Sequence, residues 1–139
     1  MKYQDRSDER RYALGDARDA LDLCQYTNDG DWQILAGLIA QVIGYVDGKW
    51  ALGYDDWFAI TRDAFVAADK LELAKMKSPR GAVAYDIAAN AAWAAYIAIV
   101  WDTARVGPLS APFWWIADME PAEAVQHKLA RNRALVRSM

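Results

Sequence analysis

Apolar residues recur along this chain at intervals of three and four, the repeat of a helix that turns one face inward. Leu14, Ala17, Leu21 and Cys24 form one such stripe and predict a first helix from about Ser7 to about Tyr26. Ser7 offers a side-chain cap, Asp8 and Glu9 place negative charge in the first turn, and Thr27-Asn28-Asp29-Gly30 stops the helix. Asp31 is expected to cap a second helix, from about Trp32 to Val46, which is apolar on nearly every side and so expected at the centre of the core. Gly37 and Gly44 share a face of it. A glycine costs about 1 kcal/mol relative to alanine in a helix interior, so the pair predicts close approach of a neighbouring helix. Asp47-Gly48-Lys49 reads as a turn.

A third helix starts near Asp55 or Asp56 and runs to about Met76. Trp57, Ile60, Ala64, Ala67, Leu71 and Ala74 make its inner stripe, Phe58 and Phe65 widen it, and Arg62, Asp63, Asp69, Lys70 and Glu72 form the wet side. Ser78-Pro79 is a cap followed by proline at the first helical position, and Gly107-Pro108 ends the fourth helix at about Val106. Such a helix would be roughly 40 Å long, enough to leave room for a kink. Its alanines at 88, 89, 91, 92, 94, 95 and 98 allow close packing around Trp93, Tyr96, Ile97 and Trp101. Residues 107–118 read as an aromatic loop, and Glu120-Pro121 opens a last helix to about Val136 with Val125, Leu129 and Val136 on its apolar side. No segment alternates with period two. The pattern predicts an all-α, single-domain antiparallel bundle of about five helices, two of them buried and apolar, with residues 1–6 as a flexible lead.

Composition agrees. The 139 residues suit one domain, the 27 alanines favour helix, and the four prolines fall at element boundaries. A single cysteine, Cys24, cannot close an internal disulfide and lies among apolar neighbours, so it reads as an inert buried thiol in a reducing compartment. The N-terminal charges are not followed by an apolar run, which excludes a secretory signal. The apolar stretches 34–46 and 87–101 fall short of the roughly 20 residues of a membrane span, so the expected location is the cytoplasm.

Catalytic patterns are missing. Neither nucleotide-binding glycine loop occurs, and Asn28-Asp29-Gly30-Asp31 lacks the ligand ladder of a calcium loop. Glu123 and His127 share a helix face, yet no third ligand is spaced to complete a zinc site, and an ordinary surface pair is the better reading. Asp86, Asn90 and Asp102 interrupt the fourth helix. A hydrogen-bond network that fixes helix register accounts for them better than a general acid or base in a pocket. We therefore expect no catalytic residue, no cofactor and no metal.

Two features point to binding. Phe113, Trp114 and Trp115 follow Pro112 directly, and three consecutive large rings cannot all face one core. They either form an exposed hot spot or fold back as a lid. Beyond them the last helix carries Lys128, Arg131, Arg133 and Arg137 against Glu123, a net +3 that leaves −6 for the preceding 120 residues. The same placement of charge also suits the helix dipole. The acidic remainder disfavours nucleic acid, so the expected partner is a protein, with a homodimer as the alternative.

The stretch Val46-Asp-Gly-Lys-Trp-Ala-Leu-Gly-Tyr-Asp-Asp-Trp57, followed by an Ala/Asp/Arg-rich helix and Ala88-Ala-Asn-Ala-Ala-Trp-Ala-Ala-Tyr96, resembles alanine-rich helical proteins of bacteria and phages, among them immunity proteins. The resemblance covers residues 35–105 and transfers no functional residue. It implies a small non-catalytic protein that binds another protein: a phage or mobile-element inhibitor of the anti-defence or anti-CRISPR type, or an immunity-type protein. An assembly component and a small enzyme with a carboxylate in a bundle pocket are the rival readings.

Overall fold

The computed structural model describes residues 7–22, 24, 30–77, 83–100 and 121–137. They form five helices, α1 (Ser7–Leu21), α2 (Asp31–Val46), α3 (Tyr54–Lys77), α4 (Val83–Val100) and α5 (Pro121–Arg137), with no strand among the described residues. The all-helical bundle is the predicted fold. The expected flexible lead, the Thr27-Asn28-Asp29 stop, the Ser78-Pro79 cap, Asp102 and the whole 107–118 loop lie outside the described residues.

The centre of the bundle is α4, which packs against all four other helices. Thirteen of its 18 residues are buried, including every one from Ala91 to Val100, so it has no wet face to orient it. By length and hydropathy it could cross a membrane, but its apolar surface is covered by its neighbours within the bundle. Leu14, Ala17, Leu21 and Cys24 are fully buried, as their spacing predicts, although α1 itself ends at Leu21 rather than Tyr26. The other apolar helix, α2, is less enclosed than its sequence implies. Leu35, Ile39, Val42 and Ile43 face inward while Ile34 stays 48% exposed.

Polar side chains from three helices tie α4 in place. Arg10 on α1 donates from Nη2 to the Ile99 carbonyl at 3.0 Å, and its guanidinium lies 5.5 Å from the Trp57 ring centroid. Asn132 on α5 donates from Nδ2 to the Ile87 carbonyl at 3.1 Å. Trp93 of α4 donates from Nε1 to Glu72 Oε1 on α3 at 2.8 Å. Phe65 packs beside this last contact, with ring centroids 5.9 Å from Trp93 and 5.8 Å from Tyr96.

The α2–α3 turn explains one of the two helical glycines. Gly48 takes a φ of 78°, the left-handed conformation that ends helices, and Lys49 N–H bonds to the Gly44 carbonyl at 2.8 Å. Trp50 then folds back, donating from Nε1 to the Gln41 carbonyl at 3.0 Å, and its indole occupies the space a Cβ on Gly44 would need. The close approach at Gly44 therefore comes from the following turn and not from a neighbouring helix. Gly37 has open space around it, so the expectation fails there. Asp31 is the first helical residue with Gly30 at the cap position, which corrects its expected capping role. At the start of α3, Asp56 Oδ2 accepts from Gly53 N–H at 2.8 Å, the reciprocal arm of a capping box.

Candidate functional site

The four basic residues expected to contact a partner lie on two sides of α5. A helix advances 100° per residue, so Lys128 and Arg131 point to one side of α5, while Arg133 and Arg137 point nearly opposite. Lys128 is half-buried near Glu72 and Lys75 of α3. Burial pushes its ammonium down to about 8; Glu72 opposes the shift, and Arg131 and Lys75 add to it. Glu72 itself is held by Trp93 and by Lys75 Nζ at 3.4 Å. Arg131 is exposed. Phe113, Trp114 and Trp115 lie outside the described residues.

Arg133 and Arg137 border a groove of about 570 Å³ between α1 and α5. Asp16 and Asp19 of α1 line it with them, as do Ala20, Leu129, Asn132 and Val136. Gln126 Nε2 donates to Asp16 Oδ2 at 2.9 Å, tying the two helices together beside it. The stripe expected on α5 is interrupted here. Val125 and Leu129 are buried, Asn132 takes the next inward position at 4% exposure, and Val136 is 42% exposed. Although Asn132 Nδ2 is bonded, its Oδ1 is buried with no hydrogen-bond partner.

A second surface was not legible in the sequence. Tyr54 is 83% and Phe58 60% exposed, and with Trp57, Thr61 and Arg62 they line a shallow groove of about 320 Å³. Tyr45 extends it, meeting Trp57 edge-on at 5.3 Å between ring centroids. The expectation that Phe58 widens the core stripe is thus overturned. Phe58 and Phe65 are seven residues apart on the same side of α3, but Phe65 meets Trp93 and Tyr96 whereas Phe58 is left largely in solvent. Helical-wheel arithmetic cannot separate the two, because the difference lies in the neighbour.

The remaining chemical candidates are dispersed. Glu123 and His127 are both exposed, and no group of three or more metal-ligating side chains occurs among the described residues. Asp86 and Asn90 are half-buried on the first half of α4. Cys24 is fully buried, and desolvation, with Asp22 adding to it, pushes its thiol up to about 12, which suits the inert role expected of it. No protein family, no curated protein and no solved structure matches this chain.

Proposed function

We propose that this chain is a cytoplasmic, non-enzymatic protein-binding module, of the phage or mobile-element inhibitor or immunity type. The observation that supports this reading is the strip of Tyr45, Tyr54, Trp57 and Phe58 at one end of the bundle. Large rings held on a rigid helix lose little conformational freedom on binding and are enriched among residues that dominate interface energy. Arg10 packs over Trp57, and Trp57 meets Tyr45 edge-on, so these two rings are held in place before any partner arrives. The consecutive rings Phe113, Trp114 and Trp115 are a second candidate contact within the same reading.

The test is an affinity capture from host lysate with tagged wild type, Tyr54→Ala/Phe58→Ala and Trp114→Ala/Trp115→Ala. A stoichiometric protein retained by the wild type and lost by either variant, with helical content unchanged, supports the proposal. Each double variant at a true contact is expected to weaken binding by about 2 kcal/mol or more. Capture that neither variant alters overturns it. Recovery of the bait alone, with light scattering that reports a dimer, turns the reading to self-assembly.

A further inference from the structure

We propose that the groove between α1 and α5 is a binding site for a short apolar peptide with both termini free, of dipeptide size. It lies on α1 and α5, and nothing in it depends on the aromatic strip.

The first reason is the distribution of charge. Asp16 and Asp19 stand on the α1 wall, Arg133 and Arg137 on the α5 wall, and no salt bridge crosses between them among the described residues. Opposite charges that border one groove without pairing leave a carboxylate wall facing a guanidinium wall. An ammonium group suits the first wall, and a carboxylate suits the planar donors of the second. Gln126 occupies one oxygen of Asp16, but an ionised carboxylate accepts several hydrogen bonds.

The second reason is the floor. Ala20, Leu129 and Val136 offer apolar contact between the charged walls, which suits the apolar side chains of a short peptide. The third reason is size. An extended dipeptide separates its charged ends by roughly 7 Å, whereas those of a free amino acid sit on a single carbon. The groove volume of about 570 Å³ suits such a ligand. It also disfavours a second copy of this chain, because a concave face set against its own symmetry mate encloses a void.

The probe is leucyl-leucine, followed by NMR of the Asn132 side-chain amide and the Val136 methyls, beside its N-acetyl and C-amide forms and free leucine. Asp19 and Arg137 are exposed and make no ion pair among the described residues, so Asp19→Asn and Arg137→Gln leave the fold unchanged. Saturable shifts are expected with the free dipeptide. Acetylation, amidation and each substitution should weaken binding by about three- to fivefold. Asp19→Asn should have no further effect on the acetylated form, and Arg137→Gln none on the amidated form, because each pair removes the same contact from its two sides. The proposal is overturned by the absence of saturable shifts up to about 10 mM. It is equally overturned if leucine binds as well as the dipeptide, if substitution and blocking add independently, or if light scattering shows that the shifts arise from dimerisation.

Discussion

Replacing Asn132 by leucine should stabilise this protein. Asn132 holds the inward position after Val125 and Leu129 on α5 and is 4% exposed. Asparagine and leucine have the same branched shape and the same number of side-chain heavy atoms, so the swap keeps the outline while its two methyls add volume that the site must absorb. The amide makes one bond, from Nδ2 to the Ile87 carbonyl, and leaves Oδ1 without a donor. Losing the bond costs about 1 kcal/mol, and removing the unsatisfied acceptor returns about 1–3 kcal/mol. The Ile87 carbonyl is not orphaned, since it lies inside α4, where the residue four positions on supplies an N–H. A buried isobutyl group adds about 1.5–3 kcal/mol, offset by about 1 kcal/mol of imperfect fit. The expected net gain is about 2 kcal/mol, or about 6 °C in Tm for a chain of this length.

Urea unfolding followed by circular dichroism measures it: the midpoint should rise with the slope unchanged. Two further variants separate the contributions. Asn132→Ala loses the bond and leaves space, so it should fall below leucine by about 2 kcal/mol or more. Asn132→Asp places a charge where only an amide is tolerated and should be the least stable of the set. If the leucine variant instead loses 1 kcal/mol or more, the bond to Ile87 outweighs the burial of the isobutyl group.

Gly37→Ala should stabilise by about 1 kcal/mol because open space surrounds it, whereas Gly44→Ala must expel the Trp50 indole and should shift tryptophan emission to the red. Equal effects at the two sites would refute the packing described for the α2–α3 turn. Lys128→Met tests the half-buried amine. Its pKa is lowered from 10.5 to about 8 in the fold, so the folded chain releases the proton first and stability rises with pH across that interval. The variant should therefore be more stable than wild type at pH 7, with the gap narrowing between about pH 8 and 10.5; the raised Cys24 and Tyr96 values are common to both proteins and cancel. A gap independent of pH would mean that the ammonium is not desolvated. Arg10→Ala should cost about 3 kcal/mol in a thermal melt, since it leaves the Ile99 carbonyl and the Trp57 ring without their shared cation. A loss below 1 kcal/mol would show the contact to be incidental.

The fold was readable because helix periodicity is local. The stripe from Leu14 to Cys24 and that from Ile60 to Leu71 are buried as their spacing requires. What failed depended on neighbours. The uniformly apolar α2 looked enclosed, yet enclosure belongs to α4, and only the packing decides between two such helices. Phe58 and Phe65 are equivalent on α3 until α4 covers one of them. Counting basic residues on α5 gives the charge of the helix but not its layout, because 100° per residue sends Lys128 and Arg133 to different neighbours. The groove escaped notice for the same reason: its carboxylates and guanidiniums are more than 100 residues apart in the chain.

The buried polar groups have a common role that the apolar pattern could not supply. A helix made largely of alanine and apolar on every side has few protruding side chains to fix its rotation or its axial position. Three bonds do so, each from a different helix: Arg10 at Ile99, Glu72 at Trp93 and Asn132 at Ile87. The outer two lie twelve residues apart, about 18 Å along the axis. A slip of one turn would part Glu72 from Trp93 and disturb the buried Arg10 and Asn132, so wrong registers are penalised more than the right one is favoured. On this argument the leucine variant at position 132 gains stability and loses uniqueness. Its melting temperature should rise while its amide spectrum shows added exchange broadening along α4, and a spectrum as sharp as wild type would place the register in side-chain packing instead.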